Sequence, residues 1–484
     1  MGEAEKSPDD IKQDNRDRFI YPMHQVATGT MQSFFSTYLN SLMTMVYVFP
    51  IAVAGVVESL MQAFGWVADP IAGVVMDRFS FKKGKYWPWI IIGSMGSGLC
   101  WIIVFIIPSF VGNPRAWAVP VAAIIVLQRF LAGPGGAVGN MLYARLAVDG
   151  KMRSYLAMWG KIGRDGMKAV VGLVFPLMLT GLLASGMAEV NAWGLIAVIL
   201  AGFSIMLQSV TVILTKNSKV EKEAIAGHAA GKKQPRPISK TIAAIFTNRA
   251  LLGAYMAQAL SKVFYFYHVV GGMFLWRYYF KNIEMMAVYM ALLSLAAITG
   301  AMLVPVAYKV LKDTRRCAIM TYLAQIVIYA IAYFVVAPDN PWGSIAIICA
   351  ASFFNGMSDS FLQPLFAHGA DYSVWKSGNK DYGLNMSVFA LSITTGTLVS
   401  TITRTAALAA GGFDSEALTP AAMAAGAAVP EGVVMALHNL NTIYPLIICV
   451  VIALILIFVY PLNDRKVADI QKEIAARDAA AVKV

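Results

Sequence analysis

The sequence predicts an all-α membrane protein with twelve transmembrane helices in two six-helix bundles and both termini in the cytoplasm. The first observation is composition, because 58% of the 484 residues are hydrophobic and only 14% are charged. A mean hydropathy of +0.63 is far from that of a soluble globular domain. The second is that the apolar residues form about twelve runs of the length, roughly 20 residues, that a spanning helix needs. The third is that the longest polar interruption divides these runs into two equal sets.

The predicted spans take their order directly from the apolar runs. They begin near Phe19, Phe49, Pro88, Trp117, Leu156, Trp193, Leu251, Met285, Cys317, Trp342, Leu384 and Asn441. Basic residues cluster in the loops on one side, whereas the opposite loops contain little beyond Arg115, Arg277 and Lys281. Since basic loops stay in the cytoplasm, this asymmetry orients the chain. It also accounts for the net charge of +12, which favours anionic lipid headgroups as partners and not nucleic acid.

The predicted domains follow from the same pattern. Residues 1–18 form a cytoplasmic tail, residues 19–214 the N-terminal bundle, residues 215–240 a central cytoplasmic loop, and residues 241–460 the C-terminal bundle. Residues 461–484 are predicted to form a charged amphipathic helix at the cytoplasmic surface. The N-terminal tail, residues 1–18, has no apolar core and is therefore not expected to be a cleavable signal peptide. The expected location is the plasma (inner) membrane, with multiple spans.

Two polar segments carry motifs just after apolar runs. The segment Asp69 to Trp89 reads DPIAGVVMDRFSFKKGKYWPW, and Asp371 to Gly383 reads DYSVWKSGNKDYG. In this order they resemble the II–III and X–XI loops of the glycoside-pentoside-hexuronide:cation symporter family of the major facilitator superfamily. The resemblance implies the major facilitator fold, with two pseudo-symmetric bundles that hold a small-molecule substrate near the membrane midplane by alternating access.

The same motifs give candidate gating residues. These are Asp77, Arg78, Asp371 and Lys376. A solvated, inside-positive loop would explain their charges, but it would not explain the Gly, Pro and Trp positions of the motif. The gating interpretation is therefore preferred.

Ionisable residues inside the predicted spans indicate the candidate site, because each costs about 2.5 to 3.5 kcal/mol at a helix centre and must face protein or water. Glu58, Gln62, Gly65 and Asp69 recur at steps that place them on one helix face. The candidate substrate-binding residues are Gln25, Gln32, Arg129, Asn140, Lys161, Arg164, Lys262, Tyr265, Asp359, Gln363 and Thr394. The cations outnumber the acids, which favours an anionic glycoside, a hexuronide or another organic anion.

An alternative interpretation of these charges is internal ion pairing. Glu58 with Arg129, or Asp165 with Lys168, would then serve packing and gating. Spacing alone leaves both interpretations open for any single residue.

The resemblance fails at the cation site of the family's sodium-coupled members. Of two aspartates and one asparagine in their second helix, only Asp69 is matched, and the other two positions hold Gly65 and Ala68. The aspartate of their first helix falls on Gly29. Because a hard cation needs several converging oxygens, sodium coupling is not expected. Proton coupling through Asp69, Glu58 or His268 is predicted instead, with no metal and no other cofactor.

Other functional classes fit less well. The five histidines share no H-E-x-x-H spacing and no G-x-S-x-G occurs, so an enzyme is not predicted. A carrier of an amphiphilic or lipid-like anion, or an uncoupled facilitator, remains the alternative function. A monomer in contact with membrane lipid is expected.

Overall fold

The computed structural model describes residues 16–482, with gaps at 79–80, 82–83, 147–149, 229–247, 335–339 and 378–381. Nearly all of these residues are helical, which confirms the predicted all-α class. Contacts divide the chain into two compact units. The N-terminal unit comprises Met1–Pro235 with Ser415–Ala425, and the C-terminal unit comprises Arg236–Asp414 with Gly426–Val484.

The N-terminal unit contains seven described helices before residue 229. They are α1 (Ile20–Ser41), α2 (Ile51–Arg78), α3 (Trp87–Phe110), α4 (Ala118–Leu146), α5 (Gly150–Ala184), α6 (Glu189–Lys216) and α7 (Lys219–His228). An aromatic core joins α1, α3 and α5, in which Phe35 stacks on Trp101 and Tyr38 packs on Phe175, both with ring centroids 3.9 Å apart. Helix α7 lies within residues 215–240, which the sequence predicts as a loop. The prediction missed this helix because its ten residues include only a short amphipathic pattern.

In the C-terminal unit the described helices begin after residue 247. Its helices are α8 (Arg249–Val269), α9 (Met285–Met302), α10 (Val304–Leu311), α11 (Thr314–Phe334), α12 (Pro341–Ser377), α13 (Tyr382–Ala410), α15 (Glu431–Asn441), α16 (Ile443–Leu454) and α17 (Asp464–Val482), while the short α14 (Pro420–Ala424) belongs to the N-terminal unit. The candidate span Glu431–Val459 is divided at Thr442, whose backbone leaves helical geometry with φ −129° and ψ −80°. Helix α16 therefore begins close to the predicted start near Asn441, and α15 precedes it.

Close helix crossings in both units depend on glycine. A Cβ at Gly300 of α9 would lie 1.8 Å from the backbone oxygen of Phe353 in α12, and one at Gly356 would lie 2.0 Å from that of Ala297. In the N-terminal unit, a Cβ at Gly93 would lie 2.4 Å from the backbone nitrogen of Gly135. Small residues let membrane helices approach until their backbones touch.

Among the described residues, nine helices are long and apolar enough to cross a membrane. The helices α1, α8 and α13 are also long, but they lie outside these nine. Each contains buried polar side chains, for example Asn40, Lys262 and Arg404, which lower its hydropathy. In lipid such groups must be satisfied inside the protein, so polarity here accompanies burial. The count of twelve spans and the cytoplasmic termini stay predictions.

Candidate functional site

Arg129 of α4 is half-buried, with its guanidinium directly against Gly65 of α2. A Cβ built on Gly65 would lie 2.5 Å from the Nη2 atom of Arg129 and 2.6 Å from its Nε atom. Gly65 therefore leaves room for the guanidinium. Gly65 stands where sodium-coupled members of the family have an aspartate. In this protein the space beside that position is filled by the permanent positive charge of Arg129.

Glu58 is the buried acid on the same face of α2. It is 5% exposed, and its Oε2 atom accepts a hydrogen bond of 2.8 Å from Nδ2 of Asn40 in α1. Of the other predicted residues in this unit, Gln25 is half-buried and Gln32 is exposed. The side chains of Asp69, Asp77, Arg78, Asn140 and Lys161 lie outside the described residues.

A second charged group in the N-terminal unit lies on α5. The Nζ atom of Lys168 is 3.1 Å from Oδ1 of Asp165, and Nε of Arg164 is 3.8 Å from the same oxygen. For Asp165 and Lys168 the structure shows the internal ion pair of the alternative interpretation. The backbone of Arg164 packs against Gly29 of α1, where a Cβ would lie 2.8 Å from the Cα atom. This close approach explains why Gly29 carries no acidic side chain.

In the C-terminal unit, Lys262 of α8 is paired with Asp359 of α12. The Nζ atom of Lys262 contacts Oδ2 of Asp359 and lies 5.1 Å from the ring centroid of Tyr265, a cation–π distance. Lys262 is only 9% exposed. The Oδ1 atom of Asp359 is buried and has no hydrogen-bond partner among the described residues. The structure thus joins three residues that the sequence predicts separately as substrate ligands, while Gln363 is exposed and Thr394 half-buried.

His268 lies further along α8 than Lys262, near the C-terminal end of the helix, and is 5% exposed. Its Nδ1 atom is 3.0 Å from Oδ1 of Asn441 in α15, and its Nε2 atom is 2.8 Å from the hydroxyl of Tyr329 in α11. The hydroxyl of Tyr289 in α9 donates to the backbone oxygen of His268 at 3.0 Å. The ring therefore links helices across the unit.

Arg404 of α13 is a buried cation that the sequence analysis missed. It is 1% exposed and lies near Tyr267 of α8, whose hydroxyl is 2.6 Å from Oγ1 of Thr403. The available signal was a lone arginine within the run LVSTITRTAALAA. Asn441 and Tyr329 were also missed, because a single amide or phenol in an apolar run gives no spacing pattern.

The predicted gating segment after α12 is held by α17. Oδ2 of Asp371 accepts a hydrogen bond of 2.8 Å from Gln471, and Nε1 of Trp375 donates to Glu473 at 2.5 Å. Arg477 donates to the backbone oxygen of Trp375 at 3.0 Å. Lys376 is exposed. The C-terminal helix therefore contacts α12 directly, although the sequence suggested only a helix at the membrane surface.

In each unit, a carboxylate contacts the start of another helix. The carboxylate belongs to the helix that follows the last long span of the unit. In the N-terminal unit, Glu221 of α7 accepts from the backbone nitrogens of Lys85 and Tyr86, the latter at 3.0 Å. In the C-terminal unit, Oδ2 of Asp464 accepts from the backbone nitrogen of Thr314 at 3.1 Å and from its hydroxyl at 3.0 Å. Both carboxylates satisfy backbone donors at a helix start.

Burial raises the pKa of Glu221 above the usual glutamate value. The backbone hydrogen bonds from Lys85, Tyr86 and Trp87 oppose this shift without reversing it. Glu221 is 2% exposed, so desolvation of its carboxylate outweighs these bonds.

The paired helical units and the charged clusters within apolar helices are those of a secondary transporter. The family model described as MFS/sugar transport protein matches residues 20–464, so the chain belongs to this family of the major facilitator superfamily. It is an integral, multi-pass membrane transporter and not an enzyme, and the resemblance predicted from its two loop motifs is confirmed.

Two curated relatives match nearly the whole chain. One is the "Putative sulfoquinovose importer" of Escherichia coli (strain K12), 23% identical over 98% of this chain and 96% of the relative. The other is the "Uncharacterized symporter YjmB" of Bacillus subtilis (strain 168), 22% identical over 95% of each chain.

Solved structures show the same fold at lower identity. The nucleoside transporter NupG aligns with a TM-score of 0.61 and 15% identity, covering 93% of this chain and 99% of NupG. A D-xylose-proton symporter aligns with a TM-score of 0.59 and 10% identity, covering 92% of this chain and 98% of the symporter.

Proposed function

We propose that this transporter carries an anionic sugar or a similarly small organic anion, together with a proton, by alternating access. The observation that carries the proposal is the guanidinium of Arg129 against Gly65 in the apolar part of the N-terminal unit. A guanidinium stays charged at every physiological pH, and its planar donors match a carboxylate or sulfonate. Within a membrane, such a residue is by default a functional group.

The same geometry argues against sodium as the coupling ion. A hard cation needs several oxygens, yet the guanidinium of Arg129 lies against Gly65, and the neighbouring Ala68 is a buried apolar residue. Within the described part of the chain, no group of three acidic, histidine or cysteine side chains is suited to a metal ion. A proton needs only one carboxylate, and buried carboxylates are present in both units.

The relatives support the sugar part of the proposal. The name of the Escherichia coli relative specifies sulfoquinovose, which is a sugar with a sulfonate group and therefore an anion. The family description likewise specifies sugar transport. An anionic monosaccharide unites this chemistry with the permanent charge of Arg129.

The test is uptake into proteoliposomes that contain the purified protein. We expect sulfoquinovose or glucuronate to accumulate under an inward proton gradient without sodium, and glucose to be excluded. Arg129→Gln should lower uptake of the anions at least about tenfold, equivalent to 1.4 kcal/mol of lost binding. The matched control is Arg249→Gln, because Arg249 is an exposed arginine bonded to the backbone oxygen of Phe458.

Two results would contradict the proposal. One is transport of neutral glycosides as good as that of anions, with no effect of Arg129→Gln. The other is a strict requirement for sodium. Binding of amphiphilic acids alone would favour the alternative carrier of lipid-like anions.

A further inference from the structure

A file of polar side chains, from His438 to Asn355, runs through the C-terminal unit toward the Lys262–Asp359 pair. His438 is half-buried and, with Asn441, lines a cavity of about 30 Å³, which is large enough for water. Asn441 is bonded to His268, and His268 is bonded to Tyr329. These groups connect α15, α8 and α11 by hydrogen bonds of 2.8 to 3.0 Å.

The file continues beyond His268 through a second cavity. This cavity of about 10 Å³ is lined by His268, Tyr329 and Asn355, among others, and is at the lower limit for one water molecule. Nδ2 of Asn355 is 3.5 Å from Oγ of Ser261, the residue that precedes Lys262 in α8. Asn355 lies one helical turn before Asp359 in α12, so both face the same side.

Four helices of the C-terminal unit surround Asp359 or its partner Lys262. Of the described residues, α8 presents the ammonium of Lys262 and α11 presents the phenol of Tyr322 to this carboxylate. At this level α9 presents Ala297 and α13 presents Gly396, and neither is titratable. The opposite charge in direct contact with the carboxylate is the ammonium of Lys262.

We propose that Asp359 is the carboxylate that binds the coupling proton, and that the proton reaches it through His268 and the cavity that His268 lines with Asn355. This inference rests on the proton-coupled anion transport proposed above. It assigns coupling to a residue that the sequence predicted as a substrate ligand, in place of Asp69, Glu58 or His268.

The coupling follows from charge balance. When Asp359 is ionised, its carboxylate neutralises the ammonium of Lys262. When a proton adds to the carboxylate and makes it a neutral acid, the ammonium is left without its counter-charge, which is costly in a buried site. The anionic group of a substrate restores the balance by pairing with Lys262. Release of the anion lets the proton leave and the original pair form again.

Proton and anion consequently raise each other's affinity by the same factor, as thermodynamic linkage requires. Either one alone leaves a buried charge uncompensated. Together they leave the number of compensated charges unchanged. This is the behaviour needed for symport of an anion with a proton.

The first experiment measures proton uptake during binding of sulfoquinovose to the purified full-length protein. A sulfonate stays ionised at all pH values of interest, so any proton taken up belongs to the protein. Calorimetric titrations in two buffers of different ionisation enthalpy give this number. We expect about one proton per bound sugar, as linkage through a single carboxylate predicts, and tighter binding at acidic than at alkaline pH.

Asp359→Asn should bind sulfoquinovose with a pH-independent Kd and take up no proton. Exchange of external for internal sugar should persist, whereas accumulation driven by a proton gradient should be lost. The matched control is Asp165→Asn, which makes the same change in the Asp165–Lys168 pair of α5 and should retain proton uptake.

A second variant tests the path. His268→Gln should leave the Kd and the equilibrium proton uptake unchanged but slow proton-driven uptake at least about tenfold, a change of 1.4 kcal/mol in the barrier. The matched control is His24→Gln, because His24 is 1% exposed and bonded to Gln208 and Gly135 in the N-terminal unit. Proton-driven uptake should be retained in that control.

Each other outcome has a definite meaning. Proton uptake by Asp359→Asn on sugar binding would overturn the assignment while leaving the proposed function intact. If that variant does not fold, Lys262→Gln serves instead, and retained proton uptake in it would overturn the assignment equally. Equal rates for His268→Gln and the wild type would overturn the path. Failure of the wild type to bind any anionic sugar would contradict the proposed function itself.

Discussion

The two units hold their buried charges in different ways. In the N-terminal unit, the guanidinium of Arg129 is permanently charged and fits against Gly65, a residue without a side chain. In the C-terminal unit, Lys262 is paired with Asp359, and Asn355, one turn before Asp359, lines a cavity with His268. A permanent charge suits recognition of an anion at any pH, whereas a titratable pair suits coupling to a proton. The contrast gives Arg129 a role in recognition of the anion alone, and gives Lys262 and Asp359 a role in coupling the anion to a proton.

The ends of the units, in contrast, are built alike. Glu221 and Asp464 both belong to helices that follow the last long span of their unit, and both accept hydrogen bonds from backbone nitrogens at the start of another helix. These matching contacts agree with the two pseudo-symmetric bundles that the family resemblance implies. The two units therefore differ in their buried charges but share these contacts at the starts of helices.

The largest effect is expected where backbones touch. Gly300→Ala places a methyl group 1.8 Å from the backbone oxygen of Phe353, and α9 and α12 must separate. We expect a loss of stability of at least about 3 kcal/mol, at the upper end of overpacking costs. Gly93→Ala in the N-terminal unit should cost less, because its closest atom is 2.4 Å away.

Thermal unfolding of the purified variants measures this order. Gly202→Ala is the control, because a Cβ there meets nothing within 4 Å. Equal stability of Gly300→Ala and Gly202→Ala would show that the glycine crossings do not stabilise the fold.

The next effect concerns the permanent charge. Gly65→Asp places a carboxylate beside the guanidinium of Arg129 and should neutralise it as an internal ion pair. The affinity for sulfoquinovose should then fall at least about tenfold, or 1.4 kcal/mol. Gly65→Asn is the control of equal size without the charge, and it should reduce affinity less. Binding titrations decide this, and equal losses for the two variants would mean that space and not charge matters at Gly65.

A smaller effect concerns the pH dependence at Glu221. Its pKa is raised in the folded protein, so folding favours the protonated form. The stabilisation from this group is therefore complete below the ordinary glutamate pKa and is lost as the pH rises through the raised value. Glu221→Gln should remove this decline, because a glutamine side chain does not titrate.

Thermal unfolding of wild type and Glu221→Gln across this pH range checks the prediction. Stability of the wild type that rises over the same interval, relative to the variant, would contradict the sign. Asp464→Asn in the C-terminal unit is the structural counterpart, and it should weaken the bonds to Thr314.

The smallest effect is expected at the surface of α17. Gln471→Ala removes one exposed hydrogen bond to Asp371 and should cost about 0.5 kcal/mol or less. Transport should remain within about twofold of wild type, since 0.4 kcal/mol corresponds to that factor. Asp371→Asn should slow transport more if this residue gates the cycle as its motif predicts. Initial uptake rates of the two variants separate gating from simple attachment of the tail.

The sequence by itself determined the class of protein, the family and the approximate starts of the long helices. Apolar run length is a local property, so the helices near Phe49, Pro88 and Met285 begin within a few residues of the predicted spans. The same local criterion missed α7 in the central loop and α15 before the predicted start near Asn441, because both helices are shorter than the roughly 20 residues that mark a span. The sequence also identified Lys262 and Asp359 as candidate substrate-binding residues, because they are charged residues within apolar runs.

Only the tertiary structure decided which of these charges meet. Lys262 and Asp359 are 97 positions apart, and their contact depends on how α8 packs against α12. Likewise, the space above Gly65 is filled by an arginine from a different helix, which no spacing rule within α2 can indicate. The physical reason is that burial and hydropathy are set along one helix, whereas the partner of a buried charge is set by contacts between helices.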